Sequence, residues 1–343
     1  MSAYFTIVAL NIQPIKDIFM QIPTSTPVTR RLTVQALLAS GFASLPAFSW
    51  AQALPAPQVD TWADASRSRE VPVLLRWPQG KPLGVVVHSH GLGGKKEGGD
   101  TWGQAWAHAG FLVAHLQHPG SDAAALKGGF GALKAASKPE QLIARLHDVR
   151  FAVAHMQRLR AKAEGTWAGL PLEKLAISGH SFGARSTLLA AGWQRNGVNG
   201  TEPLAKAFIA FSPALGANTS LEQARQELTS ITRPMLICSG SLDGEIMGNG
   251  ETPESRRMVF DALPNGKKTL LWLDQADHFT FAGNDKQIPS NFLIKRSKET
   301  LALEERQHEL IARTSTAWLK EQLLGLPSQT PSGLSPKDQW IHA

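Results

Sequence analysis

A serine with a glycine two residues away on each side, where an apolar run gives way to a helix-forming run, constrains this chain more than any other feature. The segment reads Leu175-Ala176-Ile177-Ser178-Gly179-His180-Ser181-Phe182-Gly183-Ala184-Arg185. It predicts a strand, a sharp turn and then a helix through Trp193. Small residues are needed on either side of Ser181 because the chain folds back so tightly there that a Cβ would collide. Such a turn lifts the hydroxyl out of the sheet and aims a helix N-terminus at it. Ser181 is therefore the candidate nucleophile.

The surrounding pattern repeats the same grammar. Short apolar runs at 69–77, 84–88, 111–117, 174–178, 207–211, 235–239 and 269–273 read as strands, several of them apolar throughout. A strand buried on both faces reads that way. Between them, residues 139–164 place Leu142, Leu146, Val149, Val153, Met156 and Leu159 at helical spacing, and 221–230, 253–263 and 298–323 read as further helices. Strands alternating with helices predict an α/β fold, a mostly parallel central sheet with helices on both faces. Ligand sites in such sheets lie beyond the carboxyl ends of the strands. No internal repeat and no Gly/Ser linker divides residues 54–343, which we expect to form a single domain.

Composition narrows the chemistry. The chain has 343 residues, 43% of them hydrophobic and 18% charged, which excludes a disordered or fibrous protein. Its net charge of +7 comes from scattered Lys and Arg residues, with no run beyond pairs such as Lys95-Lys96, so no nucleic-acid partner is expected. A single cysteine, Cys238, rules out an internal disulfide and any cysteine-based metal cluster. Gly91-x-Gly93 is too short for a dinucleotide fingerprint and no Walker motif occurs, so no cofactor is expected. His88 and His90 share one strand face and raise a metal site as a competing reading, but no clear third ligand accompanies them.

An activated serine needs a base and an acid, which follow it in the order Asp or Glu, then His, in folds with this turn. Of the 11 histidines only His278, His308 and His342 follow Ser181. His342 is the penultimate residue, and His308 sits among Glu304, Glu305, Arg306 and Gln307 on what reads as a solvated helix face. His278 follows a strand on a loop at the carboxyl edge, and is the expected base. The run 233–239 empties into Gly240-Ser241-Leu242-Asp243-Gly244-Glu245. Asp243 stands where a carboxylate would orient the imidazole. Glu245 is the competitor, while Asp274 and Asp277 lie too close to the histidine in sequence. Activity is expected to fall as pH drops through a pKa near ~7, where the imidazole protonates. Acyl transfer also needs two backbone N–H groups facing the developing oxyanion. We expect them from Phe182 and from Leu92, in the glycine-rich turn His88-Ser89-His90-Gly91-Leu92-Gly93-Gly94.

Taken together, Ser89-His90-Gly91-Leu92-Gly93 and Gly179-His180-Ser181-Phe182-Gly183-Ala184 resemble the plasma-type platelet-activating-factor acetylhydrolases and the bacterial predicted dienelactone hydrolases. Asp64-x-x-Arg67-x-Arg69-x-Val71-Pro72-Val73 and Ala276-Asp277-His278-Phe279-Thr280-Phe281 are similar to the same group. The resemblance spans roughly residues 60 to 320 and implies the α/β-hydrolase fold. It further implies hydrolysis of small-molecule carboxylic esters, of short acyl or acetyl type, by a Ser–Asp–His triad without a metal. True dienelactone hydrolases use a cysteine where this chain has Ser181. A peptidase or lactonase of the same superfamily, or a non-catalytic ligand- or partner-binding protein on the same scaffold, are the alternatives.

The first fifty-odd residues differ from the rest. Thr29-Arg30-Arg31-Leu32 opens an apolar stretch that closes on Ala51-Gln52-Ala53, an A-x-A pattern. Residues 1–53 read as an export signal of twin-arginine type, giving a periplasmic or secreted protein with no stable membrane span in its mature form. A retained anchor is the competing reading, on a stretch short for a ~30 Å apolar core. Residues 95–106 and 279–292 are the candidate walls of the substrate site, with Trp102 and Trp106 read as helix packing. The residue pattern assigns no oligomeric partner.

Overall fold

The apolar runs become the middle of one nine-stranded sheet in the computed structural model. It describes residues 53–343 apart from 164, 196, 199, 247–249, 284–295 and 328–329. The export signal expected over 1–53 lies outside the described residues but for its last, as do positions 284–292 of the second candidate wall. In chain order the strands and helices are β1 (Gln58–Asp64), β2 (Arg69–Arg76), β3 (Gly84–Ser89), α1 (Asp100–His108), β4 (Phe111–Leu116), α2 (Phe130–Ala136) and α3 (Pro139–Ala161). They continue as β5 (Leu175–His180), α4 (Phe182–Ala191), β6 (Ala205–Phe211), α5 (Leu221–Leu228), β7 (Met235–Leu242), α6 (Pro253–Ala262), β8 (Lys268–Asp277), α7 (Lys298–Leu324) and β9 (Gln339–His342).

The spatial order is β1-β2-β4-β3-β5-β6-β7-β8-β9. The stretch from β4 to β8 is parallel, while β1, β2 and β9 join antiparallel at the edges. Strands β3, β4 and β5 are buried at every position, as expected of strands covered on both faces. Alternate side chains feed two cores. Val85, Val87 and Ile177 pack with Leu146 and Val149 of α3, Leu188 of α4, Leu228 of α5 and Val259 of α6. Val86, Val113 and Ala176 pack on the other face with Trp102 and Trp106 of α1 and Ile311 and Trp318 of α7. Both tryptophans of α1 are core residues, as their i, i+4 spacing suggested; each such buried aromatic is worth on the order of 2–3 kcal/mol. Among the described residues no helix is long and apolar enough to cross a membrane.

Two strands escaped the sequence. Strand β1 carries Asp60, Thr61 and exposed Val59, and β9 is four residues long, so neither shows an apolar run. Both are edge strands, stabilised by one neighbour only. The parallel order reverses at β3, which pairs with β4 on one side and β5 on the other. Crevices form at such reversals, beyond the carboxyl ends of the strands. The loops leaving β3 and β5 carry the two glycine-rich motifs, and they meet there.

Candidate active site

Strand β5 and helix α4 are joined by a single residue, Ser181, held at φ 55° and ψ −113°. A positive φ is costly for a residue with a side chain and persists only where its surroundings enforce it. Here the Ser181 amide donates to the Phe211 carbonyl at 2.9 Å, tying the turn to the end of β6. The flanking glycines are required by contact: a Cβ on Gly179 would lie 2.3 Å from the Gly183 carbonyl oxygen, and one on Gly183 would lie 2.1 Å from that of Ser89. The turn thus folds onto itself and onto the end of β3. Ser181 remains partly exposed, in a cleft of about 430 Å³ that Leu92, Phe182 and His278 also line.

The loop after β8 brings His278 to the same cleft. Its Nδ1–H donates to Asp243 Oδ1 at 2.9 Å, which leaves the lone pair on Nε2 with no partner among the described residues. Ser181 Oγ is not hydrogen-bonded to that nitrogen; such contacts are often long before substrate binds. Asp243, at the end of β7, is fully buried, whereas Glu245 is exposed. The structure therefore brings Ser181, His278 and Asp243 together and leaves Glu245 outside. Asp274 instead accepts from Ser241, and Asp277 caps Phe279 and Thr280 and pairs with Arg296.

Sequence reasoning missed the residues that surround this carboxylate. Ser212 Oγ lies 2.8 Å from Asp243 Oδ1 and 2.7 Å from His278 Nδ1, Ser239 Oγ donates to Oδ2 at 2.8 Å, and the Arg256 guanidinium lies 2.9 Å from Oδ1. Burial raises the Asp243 pKa, but Arg256, His278 and Ser212 outweigh it and hold the carboxyl at about 2. Ser212 follows β6 immediately and could have been found from the strand-end rule. Arg256 lies within α6, reaches back across a loop, and carries no sequence signal. His180, the variable residue between Gly179 and Ser181, also supports the base: its Nε2–H donates to the His278 carbonyl at 3.0 Å and its ring lies 4.7 Å from that of His278.

Burial, assisted by the Arg256 charge, holds the His278 pKa below its usual 6.5 although Asp243 pulls the other way. One expectation is corrected. His308 is not on a solvated face: it is buried, its ring edge-on to Trp102 at 5.4 Å, with Nε2–H donating to the Thr280 carbonyl. The helix that carries it packs against α1, so its polar neighbours flank an inward position.

The loop after β3 is built from its own histidine. His90 Nδ1–H donates to the Gly91 carbonyl at 2.5 Å, and His90 Nε2 accepts the His118 amide at 3.1 Å. The Gly94 amide donates to the same Gly91 carbonyl. That peptide is held in one plane, and its N–H is that of Leu92. Both ring nitrogens of His90 are engaged, whereas His88 Nδ1 lies 2.6 Å from Ser178 Oγ and its Nε2 has no hydrogen-bond partner among the described residues. Among the described residues no group of three or more His, Cys, Asp or Glu could hold a metal ion. Phe182 is the first residue of α4, where a helix leaves its amide without an intrahelical acceptor. Of the candidate walls, Gly98, Gly99, Phe279 and Ala282 line the cleft. The arginines of the motif 64–73 lie away from it and pair with Asp148 on α3. Compared with known proteins, the chain matches no family model and no curated sequence, so its own geometry carries the assignment.

Proposed function

We propose that this chain is a serine hydrolase of the α/β-hydrolase type, cleaving carboxylic esters of short acyl groups through an acyl-enzyme. The observation that carries it is the convergence in one cleft of Ser181 on a strained strand-to-helix turn and a buried Asp243–His278 pair whose Nε2 lone pair is unclaimed. Ser181 Oγ attacks the ester carbonyl as its proton passes to His278 Nε2. The carbonyl oxygen gains charge opposite the Leu92 and Phe182 amides. Collapse expels the alcohol, which takes the proton from His278, and leaves the acyl group on Ser181. Water then attacks with the same base, returning the serine and releasing the acid. A cleft of about 430 Å³ stands toward the small end of ligand sites, in keeping with a short acyl group.

Hydrolysis of para-nitrophenyl esters from acetate to palmitate, with Ser181→Ala as blank, tests the reading. We expect turnover that declines with acyl length and labelling of Ser181 by a fluorophosphonate. Well-folded protein that neither labels nor turns over would be a binding protein on this scaffold; faster cleavage of an amide than of its matching ester would indicate a peptidase. We further propose that residues 1–53 direct export, so that protein recovered from the periplasm or medium begins at Leu54 by mass spectrometry. An intact N-terminus there would refute cleavage.

A further inference from the structure

Arg145, on α3, is a fully buried cation, yet no carboxylate among the described residues lies within ion-pair distance of it. Its donors go to neutral acceptors. Nε reaches Ser186 Oγ at 3.2 Å, Nη1 reaches Ser121 Oγ at 3.1 Å, and Nη2 donates to the His90 carbonyl. The nearest acid on its own helix, Asp148, is occupied by Arg67, Arg69 and His118. Burial lowers the Arg145 pKa to about 9, partly offset by Asp148, so it still carries its charge at neutral pH. Taking a cation out of water without a paired anion costs several kcal/mol, and a fold that only needed to fill this space could use an apolar side chain. The location gives the reason. Arg145 holds the His90 carbonyl, one residue before the Gly91–Leu92 peptide; it meets α4 through Ser186, whose hydroxyl donates to the Phe182 carbonyl, and its guanidinium carbon lies 5.1 Å from the centre of the Phe182 ring.

We propose that Arg145 is a positioning residue for the oxyanion hole, clamping the loop that presents the Leu92 amide to the helix that presents the Phe182 amide and placing positive charge behind both. The inference rests on the ester-hydrolase reading of the cleft. A charge fixed before the reaction helps most where negative charge develops, because nothing need reorganise at that moment. Its effect therefore falls on the transition state more than on bound substrate.

The test measures steady-state hydrolysis of para-nitrophenyl acetate, and inhibition by a trifluoromethyl ketone, for wild type, Arg145→Met, Arg145→Lys and Ser186→Ala, with folding checked by near-UV circular dichroism. Removing one oxyanion donor typically costs about 10²–10³ in kcat, so Arg145→Met should lose on the order of 10²-fold in kcat with KM within about threefold. The ketone, which forms an oxyanion, should weaken in step with kcat/KM. Arg145→Lys, which keeps the charge but not the fork, should recover part of the loss, and Ser186→Ala should lose several-fold in kcat. If Arg145→Met does not fold, the latter two carry the test. An active wild type with unchanged kcat in folded Arg145→Met, or in both other variants, overturns the clamp alone. A wild type that neither turns over nor labels at Ser181 overturns the clamp and the hydrolase reading together.

Discussion

The two sides of the cleft hold buried charge in opposite ways. On the β6–β8 side, Asp243 is matched by Arg256 and surrounded by Ser212, Ser239 and His278. On the β3–β5 side, Arg145 is as deeply buried, but its hydrogen bonds go to two hydroxyls and a carbonyl and its guanidinium lies over the Phe182 ring. The first arrangement neutralises charge so that a carboxylate can stand inside the protein and orient an imidazole. The second leaves a cation without a carboxylate in ion-pair contact, between the loop and the helix whose amides we propose meet the developing charge. In the proposed mechanism the balanced side sets geometry and protonation, and the unbalanced side stabilises a charge that exists only in passing.

The sharpest break is at the reacting groups. Replacing Ser181 or His278 by Ala should each lower turnover on the order of 10⁴-fold, and the double variant should be little worse, since the two share one mechanism. Additive losses in esterase assays would sever Ser181 from the base.

Next in size is a contrast in stability. Arg256→Met leaves the Asp243 carboxylate buried without its cation, and loss of one partner from a buried pair costs about 3–5 kcal/mol. Arg145→Met removes a cation that has no such partner, so it should destabilise less while harming kcat more. Urea unfolding of the two variants measures this; equal destabilisation would mean the two sides are not different in kind.

Smaller again is Ser212→Ala. One hydrogen bond to a charged group is worth about 1.5–3 kcal/mol, but Asp243 keeps its other donors, so a loss of about tenfold in kcat is expected. Glu245→Gln, at an exposed position, should remain within about twofold of wild type. If that ranking reversed in kinetic assays, the acid would have to be reassigned.

The mildest perturbation is pH. His88, His90, His115, His118, His180 and His278 all have pKa values lowered by burial, to about 4 for His118 and about 3 for His115. The unfolded chain takes up these protons near ~6.5 while the folded one refuses them, so stability is complete above that pH and declines as pH falls below it. The acid limb of kcat/KM should likewise lie below 6.5, because His278 stays neutral to a lower pH than a free imidazole. A limb at 7 or above, or thermal stability that is level from pH 7 to 5, would contradict the burial of these rings.

Much of this was legible in residues alone. The apolar runs of the central strands, the turn at Ser181 and the strand ends before Asp243 and His278 are local signals, because a strand buried on both faces and a tight glycine-flanked turn each leave their mark on neighbouring residues. Position in the sequence favours Asp243 over Glu245; that Asp243 is buried against His278 while Glu245 is exposed is not carried by sequence. The inward placement of His308, the edge strands β1 and β9, the Ser212 and Arg256 contacts to Asp243, and Arg145 between the two amide-bearing segments came only with the tertiary structure. Each depends on residues tens of positions apart meeting through the crossovers of a parallel sheet. Local sequence determines which side chains leave the carboxyl edge; only the packing of helices against that edge decides which charges meet an opposite charge there and which meet neutral acceptors.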